Sequence, residues 1–159
     1  MAVERSFRIK IGGNFFMYDF SALMLTVFYA CFGIVLMIAA NRIIDFFIPG
    51  DFEVEIKRGN RAVAWLCAGS FIGVGEILRA VILSPYGEAA NVGFLPGVTS
   101  SLLYAAIGIL FFILGFFVVN LWCRQYSLPE EIRKGNTAAG IMVFGIFVGL
   151  SLVISGAVH

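Results

Sequence analysis

The sequence predicts an all-α, polytopic membrane protein: four transmembrane helices arranged as two tandem two-helix repeats. Three observations carry this reading. Hydrophobic residues make up 60% of the 159 residues and charged residues only 13%, with a mean hydropathy of +0.96. A soluble domain is roughly half apolar and about a quarter charged, and a core of this size cannot hide the excess. Four apolar stretches reach the roughly 20 residues that a helix needs to cross a bilayer. An eight-residue segment also returns, slightly altered, 76 positions later.

Taken in order, residues 1–19 form an N-terminal tail holding Arg5, Arg8 and Lys10. Phe7, Ile9 and Ile11 alternate with the basic residues, the pattern of a strand-like or surface-lying segment. Span one, residues 20–40, is uncharged and too long for a signal core, so it reads as a retained helix. Asn41 stands near its end, and Asp45 reads as a solvated interfacial charge. Span two, residues 62–83, carries Glu76 and Arg79. Residues 84–101 form an outer connection without Lys or Arg. Span three, residues 102–122, is uncharged and carries Asn120; span four covers residues 137–158. The first helical-hairpin repeat is thus residues 20–83 and the second residues 102–159. Each span satisfies its own backbone in lipid, and the alternation that a membrane barrel requires is absent.

The basic residues set the orientation. Arg42, Lys57, Arg58 and Arg61 lie between spans one and two, and Arg124, Arg133 and Lys134 between spans three and four. These connections are expected on the cytoplasmic face, with both termini outside, although the basic tail opposes this. Trp65, Tyr86, Tyr104, Trp122 and Tyr126 lie near predicted span ends, as interfacial anchors do.

Glu55-Ile56-Lys57-Arg58-Gly59-Asn60-Arg61-Ala62 matches Glu131-Ile132-Arg133-Lys134-Gly135-Asn136-Thr137-Ala138. The match runs on ungapped, pairing Gly69, Phe71 and Gly73 with Gly145, Phe147 and Gly149, and Asn41 reads as the counterpart of Asn120. Two spans per unit give both units one orientation, with any pseudo-symmetry axis along the membrane normal. Phe52 and Ile56 are matched by Leu128 and Ile132, whereas Val54 is replaced by Glu130. Retention of the i,i+4 pair alone predicts a short amphipathic helix before each even span. Gly59 and Gly135 would end these helices, and Asn60 and Asn136 would cap the next ones.

The repeated E-I-basic-basic-G-N-x-A pattern, placed before two glycine-bearing spans, resembles the YjfL-like bacterial membrane family of unknown function, domain of unknown function family 350. The copy at residues 131–140 is the closer match, and the resemblance covers about residues 20–158. It implies a four-span inner-membrane protein with two tandem units and no established activity. It also implies an envelope-stress setting, beside phage-shock-like coat proteins and flotillin-like proteins. It supplies no catalytic residues.

The candidate site residues fall into three groups. Gly69 and Gly73, with Gly145 and Gly149, form matched Gly-x-x-x-Gly pairs that let helix backbones approach, so spans two and four should pack on each other, within one chain or between chains. Glu76 extends the first stripe, and Leu152 takes its place in the second. A carboxylate within a span is by default a functional hypothesis. Glu76 either lines a pathway or pairs with Arg79 one turn on, while Asn41 and Asn120 serve interhelical hydrogen bonding. The third group is the repeat signature itself: Glu55, Gly59, Asn60, Glu131, Gly135 and Asn136.

Cys31, Cys67 and Cys123 lack metal or redox spacing and read as small buried hydrophobes. The only histidine is His159, so paired axial histidines for haem and an intramembrane Ser-His-Asp triad are both excluded. No phosphate loop appears, and a net charge of +1 offers no field for nucleic acid. No cofactor is expected. The expected function is a non-enzymatic subunit or scaffold of the bacterial inner membrane, bound by membrane lipid, that forms a homo-oligomer or joins a larger membrane complex. The alternative is a small ion-conducting oligomer with Glu76 at its pathway.

Overall fold

The computed structural model describes residues 14–48, 51–84, 94–123 and 126–158. The alternating segment of the tail, Tyr86, Arg124 and His159 lie outside the described residues. Six helices follow in order: α1 (Asn14–Phe47), α2 (Phe52–Lys57), α3 (Arg61–Leu83), α4 (Phe94–Trp122), α5 (Leu128–Arg133) and α6 (Thr137–Val158). Among the described residues there is no strand. The chain divides into two compact units, residues 1–32 and 33–159. In the first, Phe28, Tyr29 and Phe32 pack their rings on one another along α1.

Among the described residues four helices are long and apolar enough to cross a membrane: Leu23–Phe47, Arg61–Leu83, Pro96–Trp122 and Thr137–Val158. The odd helices outrun their expected lengths. α1 continues past residue 40 to Phe47, and α4 begins at Phe94, inside the stretch read as outer connection. Polar residues do not end these helices because each finds a partner: Asn41 bonds across to Ser70 and Asp45 accepts from the Phe52 N–H, while hydroxyls near the start of α4 bond within that helix. The Ser101 hydroxyl donates to the Gly97 carbonyl at 2.9 Å, and Pro96 falls in the first turn, where no intrahelical N–H is needed.

In the second unit, α3 is the hub. In its most apolar stretch 56% of residues are buried, against 33% in α4 and 28% in α6. It packs most extensively on α6, then on α4. Ile77 fills the space left by Gly108, and Phe112 stacks on Phe147 with ring centroids 4.8 Å apart. The α1 stretch within this unit lays Gly33 on Leu78 and Met37 on Gly75. The exposed apolar side chains, such as Leu103, Val118 and Val153, suit a hydrocarbon solvent.

Glycine decides how closely α3 and α6 approach. A Cβ on Gly69 would stand 2.9 Å from the Phe144 Cα, and one on Gly140 would collide with the Ala62 backbone. These neighbours are main chain and cannot swing aside. Gly145 and Gly149 differ: nothing lies within 4 Å of a Cβ built on either. Within the chain, spans two and four do meet, but the surface that α6 gives to α3 is Gly140, Phe144 and Phe147 rather than the Gly145–Gly149 stripe. Gly140→Ala is expected to destabilise the chain by about 1–3 kcal/mol through overpacking, while Gly145→Ala should change stability by less than about 0.5 kcal/mol. Thermal unfolding of the two variants in the same detergent checks this; equal losses would contradict the assignment of faces.

Candidate functional site

The polar chemistry of the described chain gathers in two places: the turns before the even spans, and one intramembrane cluster on α3. The turns come first because their geometry accounts for the repeated signature. α2 ends with Gly59 at φ 79° and α5 with Gly135 at φ 81°, left-handed values that glycine adopts without strain. The next residue caps the following span. Asn60 Oδ1 accepts from the N–H of Ala62 at 3.0 Å and of Val63 at 3.3 Å, and Asn136 Oδ1 from that of Ala138 at 3.1 Å. The glutamate five residues earlier orients each asparagine: Asn60 Nδ2 donates to Glu55 and Asn136 Nδ2 to Glu131, both at 2.8 Å. The basic residue three positions after each glutamate completes the turn, with Arg58–Glu55 at 3.1 Å and Lys134–Glu131 at 3.2 Å. The signature is thus a closed loop of glutamate, basic residue, left-handed glycine and capping asparagine.

The two copies differ in one respect. Asn60 is buried and also donates to the Ile132 carbonyl at 2.9 Å, 72 residues away. This bond sets the two basic turns side by side. Asn136 is exposed and has no such long-range partner among the described residues.

At their other ends the short helices donate a hydrogen bond to the preceding span. Asp45 Oδ1 accepts from the Phe52 N–H, and Asn120 Oδ1 from the Leu128 N–H, both at 3.0 Å. By role, the counterpart of Asn120 is Asp45, not Asn41, and Asp45 is a half-buried acceptor rather than a solvated charge. Sequence reasoning missed it; the signal was a polar acceptor seven or eight residues before the apolar residue that opens each short helix. Asn41 instead faces α3, where its Oδ1 lies 2.9 Å from the Ser70 hydroxyl and its Nδ2 3.6 Å from the Cys67 sulfur. Of the three cysteines only Cys67 is buried; Cys31 is exposed and Cys123 partly so.

A groove of about 390 Å³ lies between the end of α1 and α2, lined by Asn41, Arg42, Asp45, Phe52, Glu53 and Lys57. Arg42 and Lys57 share the Glu53 carboxylate, at 3.4 and 3.5 Å, and Asp45 in the same lining balances the second cation. A wider groove, about 1010 Å³, lies beside α5 and includes Asn120, Tyr126 and Glu130.

Neither groove includes Glu76. Arg79 grips its carboxylate with both ends of the guanidinium, Nε to Oε2 at 2.8 Å and Nη2 to Oε1 at 2.7 Å. Ser155 of α6 donates to Oε1 at 3.0 Å. A bidentate pair with a third donor satisfies most of the acceptor capacity of a carboxylate. Among the described residues, no group of His, Cys, Asp and Glu comes together to hold a metal ion.

Four membrane-length helices, two capped polar turns at one end and one ion pair within a span define a polytopic transmembrane protein. The chain belongs to the family described as Domain of Unknown Function (DUF350), whose match covers residues 17–158. It is also similar to the UPF0719 transmembrane protein YshE of Bacillus subtilis (strain 168), at 24% identity over 104 residues, 65% of this chain and 70% of that protein. No solved structure matches it.

The burial of Asn60 separates the two caps energetically. Asn60→Ala should cost about 1–2 kcal/mol for the cap alone, plus the lost long-range bond to the Ile132 carbonyl, whereas Asn136→Ala should stay at or below the cap value. Urea unfolding in mixed micelles measures the difference, and an equal loss would contradict the unequal roles. The two glutamates give a pH dependence. The hydrogen bond from Asn60, then Arg58, holds the Glu55 carboxyl below its ordinary 4.5; Asn136 and then Lys134 do the same for Glu131. A carboxylate depressed in the folded state stabilises it above the ordinary pKa and stops doing so as pH falls through the lowered value. Their contribution is therefore constant at neutral pH and lost below about 4.5. Replacing both by Gln should flatten that acid limb in a melting-temperature profile.

Proposed function

We propose that the chain is a non-enzymatic integral membrane subunit or scaffold that works by helix–helix association, with its own copies or with partners. The observation that carries this reading is the open Gly145–Gly149 stripe on α6. Two glycines side by side give lipid little to pack against, but they allow a helix backbone to approach closely. Glu76, the residue that could have marked a pathway or a catalytic acid, is held by Arg79 and Ser155 instead. The setting we infer is the bacterial inner membrane, with both basic turns on the cytoplasmic face and both termini outside, in keeping with the positive-inside rule. An envelope-stress role fits a family without established chemistry. Lipid headgroups would meet the turns, where Arg58, Arg61, Arg133 and Lys134 are exposed.

A second reading, a small ion-conducting oligomer, is favoured by one observation: about a fifth of the Glu76 side chain (21%) remains accessible between α3 and α6. The two readings part in one experiment. The subunit reading expects native mass spectrometry of gently extracted protein to find a complex, and proteoliposomes of that complex to show no ion flux above empty vesicles. Flux that changes with Glu76→Gln would overturn it in favour of the channel. Loss of stability on Glu76→Gln without flux supports the ion pair as a structural tie.

A further inference from the structure

The two even spans do not meet through matching residues. α3 offers Ala62, Gly69, Gly73 and Glu76, and α6 receives them with Gly140, Phe144, Phe147 and Ser155. Moved by the 76-residue offset of the sequence match, the offering residues become Ala138, Gly145, Gly149 and Leu152 of α6. The receiving residues become Ala64, Ala68, Phe71 and Arg79 of α3. Both corresponding faces are open. Ala138, Gly145, Gly149 and Leu152 are exposed, as are Ala64, Phe71 and Arg79, with Ala68 half-buried. The contact inside the chain is therefore heterologous, joining one face to a different one. Each chain then carries one used and one unused copy of both faces.

The polar turns follow the same rule. Asn60 reaches across to the Ile132 carbonyl, while its counterpart Asn136 is exposed. The carbonyl that corresponds to the acceptor is that of Ile56, an exposed residue near the end of α2.

We propose that the Ala138–Gly145–Gly149–Leu152 face of α6 binds a second copy of this chain, on the Ala64–Ala68–Phe71–Arg79 face of its α3. The contact between chains repeats the one that joins the two halves of a single chain. This deepens the subunit reading and rests on it. Gly145 of one copy lies against Ala68 of the next, Gly149 against Phe71, and Asn136 donates to the Ile56 carbonyl. Because the joint is head-to-tail, it propagates and ends only when the rotation closes a ring. Leu152 in place of Glu76 leaves this joint without the intramembrane hydrogen bond to Ser155, so it parts before the chain unfolds.

The test is disulfide trapping in native membranes, with Cys31, Cys67 and Cys123 replaced by alanine. One tagged copy carries Gly145→Cys and a differently tagged copy carries Ala68→Cys. The expected result is a product bearing both tags, with at least tenfold less product when either variant is expressed alone. Gly145→Leu should abolish trapping between Gly149→Cys and Phe71→Cys partners while leaving the melting temperature in detergent unchanged, since the site is empty in the single chain. Efficient trapping of Gly145→Cys with itself would overturn the proposal, because that face would then be isologous. Absence of any mixed product would also overturn it, and the native mass then separates two failures. A complex with another protein leaves the subunit reading standing, whereas a lone monomer removes both.

Discussion

The close approach of α3 to α6 is the constraint on which the rest of the second unit depends. Where Gly69 meets Phe144 and Gly140 meets Ala62, main chain lies on main chain. In a membrane, burying apolar side chains between helices gains little over leaving them in lipid, so close packing and a few polar contacts must supply the association. The position of α4 follows, since Phe112 and Ile77 fill the space beside this crossing. So does the Glu76–Ser155 hydrogen bond, which needs the two helices in register near their far ends.

The turns solve a different problem. Each must reverse the chain at a polar boundary and start a helix whose first amide hydrogens have no partners. The glutamate, basic residue, glycine and asparagine do this within six residues, and the acceptor at the end of the preceding span fixes the other end of the short helix. Glu55, Arg58 and Asn60, and likewise Glu131, Lys134 and Asn136, find their partners locally. Asn60 also spans the two halves, which makes it a polar tie at this end of the unit.

Much of this was legible in the sequence because it is local. The four spans follow from hydropathy, the short helices from the retained i,i+4 pair, and the caps from glycine followed by asparagine. What the sequence hides is relational. Asp45 looks like a surface charge until the chain folds back and places the Phe52 amide against it. The lengths of α1 and α4 escape an apolar window because polar side chains near a helix end find partners, on a neighbouring element for Asn41 and on the helix itself for Ser101, without ending the helix. The matched glycine pairs show that two faces are alike, but a sequence match carries no information on which face is covered. The pairing of Gly69 with Phe144, rather than with Gly145, exists only in three dimensions.

The position of Arg79 has a consequence for how the protein is made. Both charges of the intramembrane pair lie on one helix, a single turn apart, so the pair forms as soon as that helix does. α3 can leave the insertion machinery with the charges of its interior already paired, before α6 has been synthesised. Had the arginine been placed on the fourth span, a lone carboxylate would have waited in hydrocarbon for its partner, at a cost of about 2.5–3.5 kcal/mol on insertion scales. Ser155 arrives last and adds a hydrogen bond to a charge that is already neutralised. The order of synthesis and the order of electrostatic compensation therefore agree.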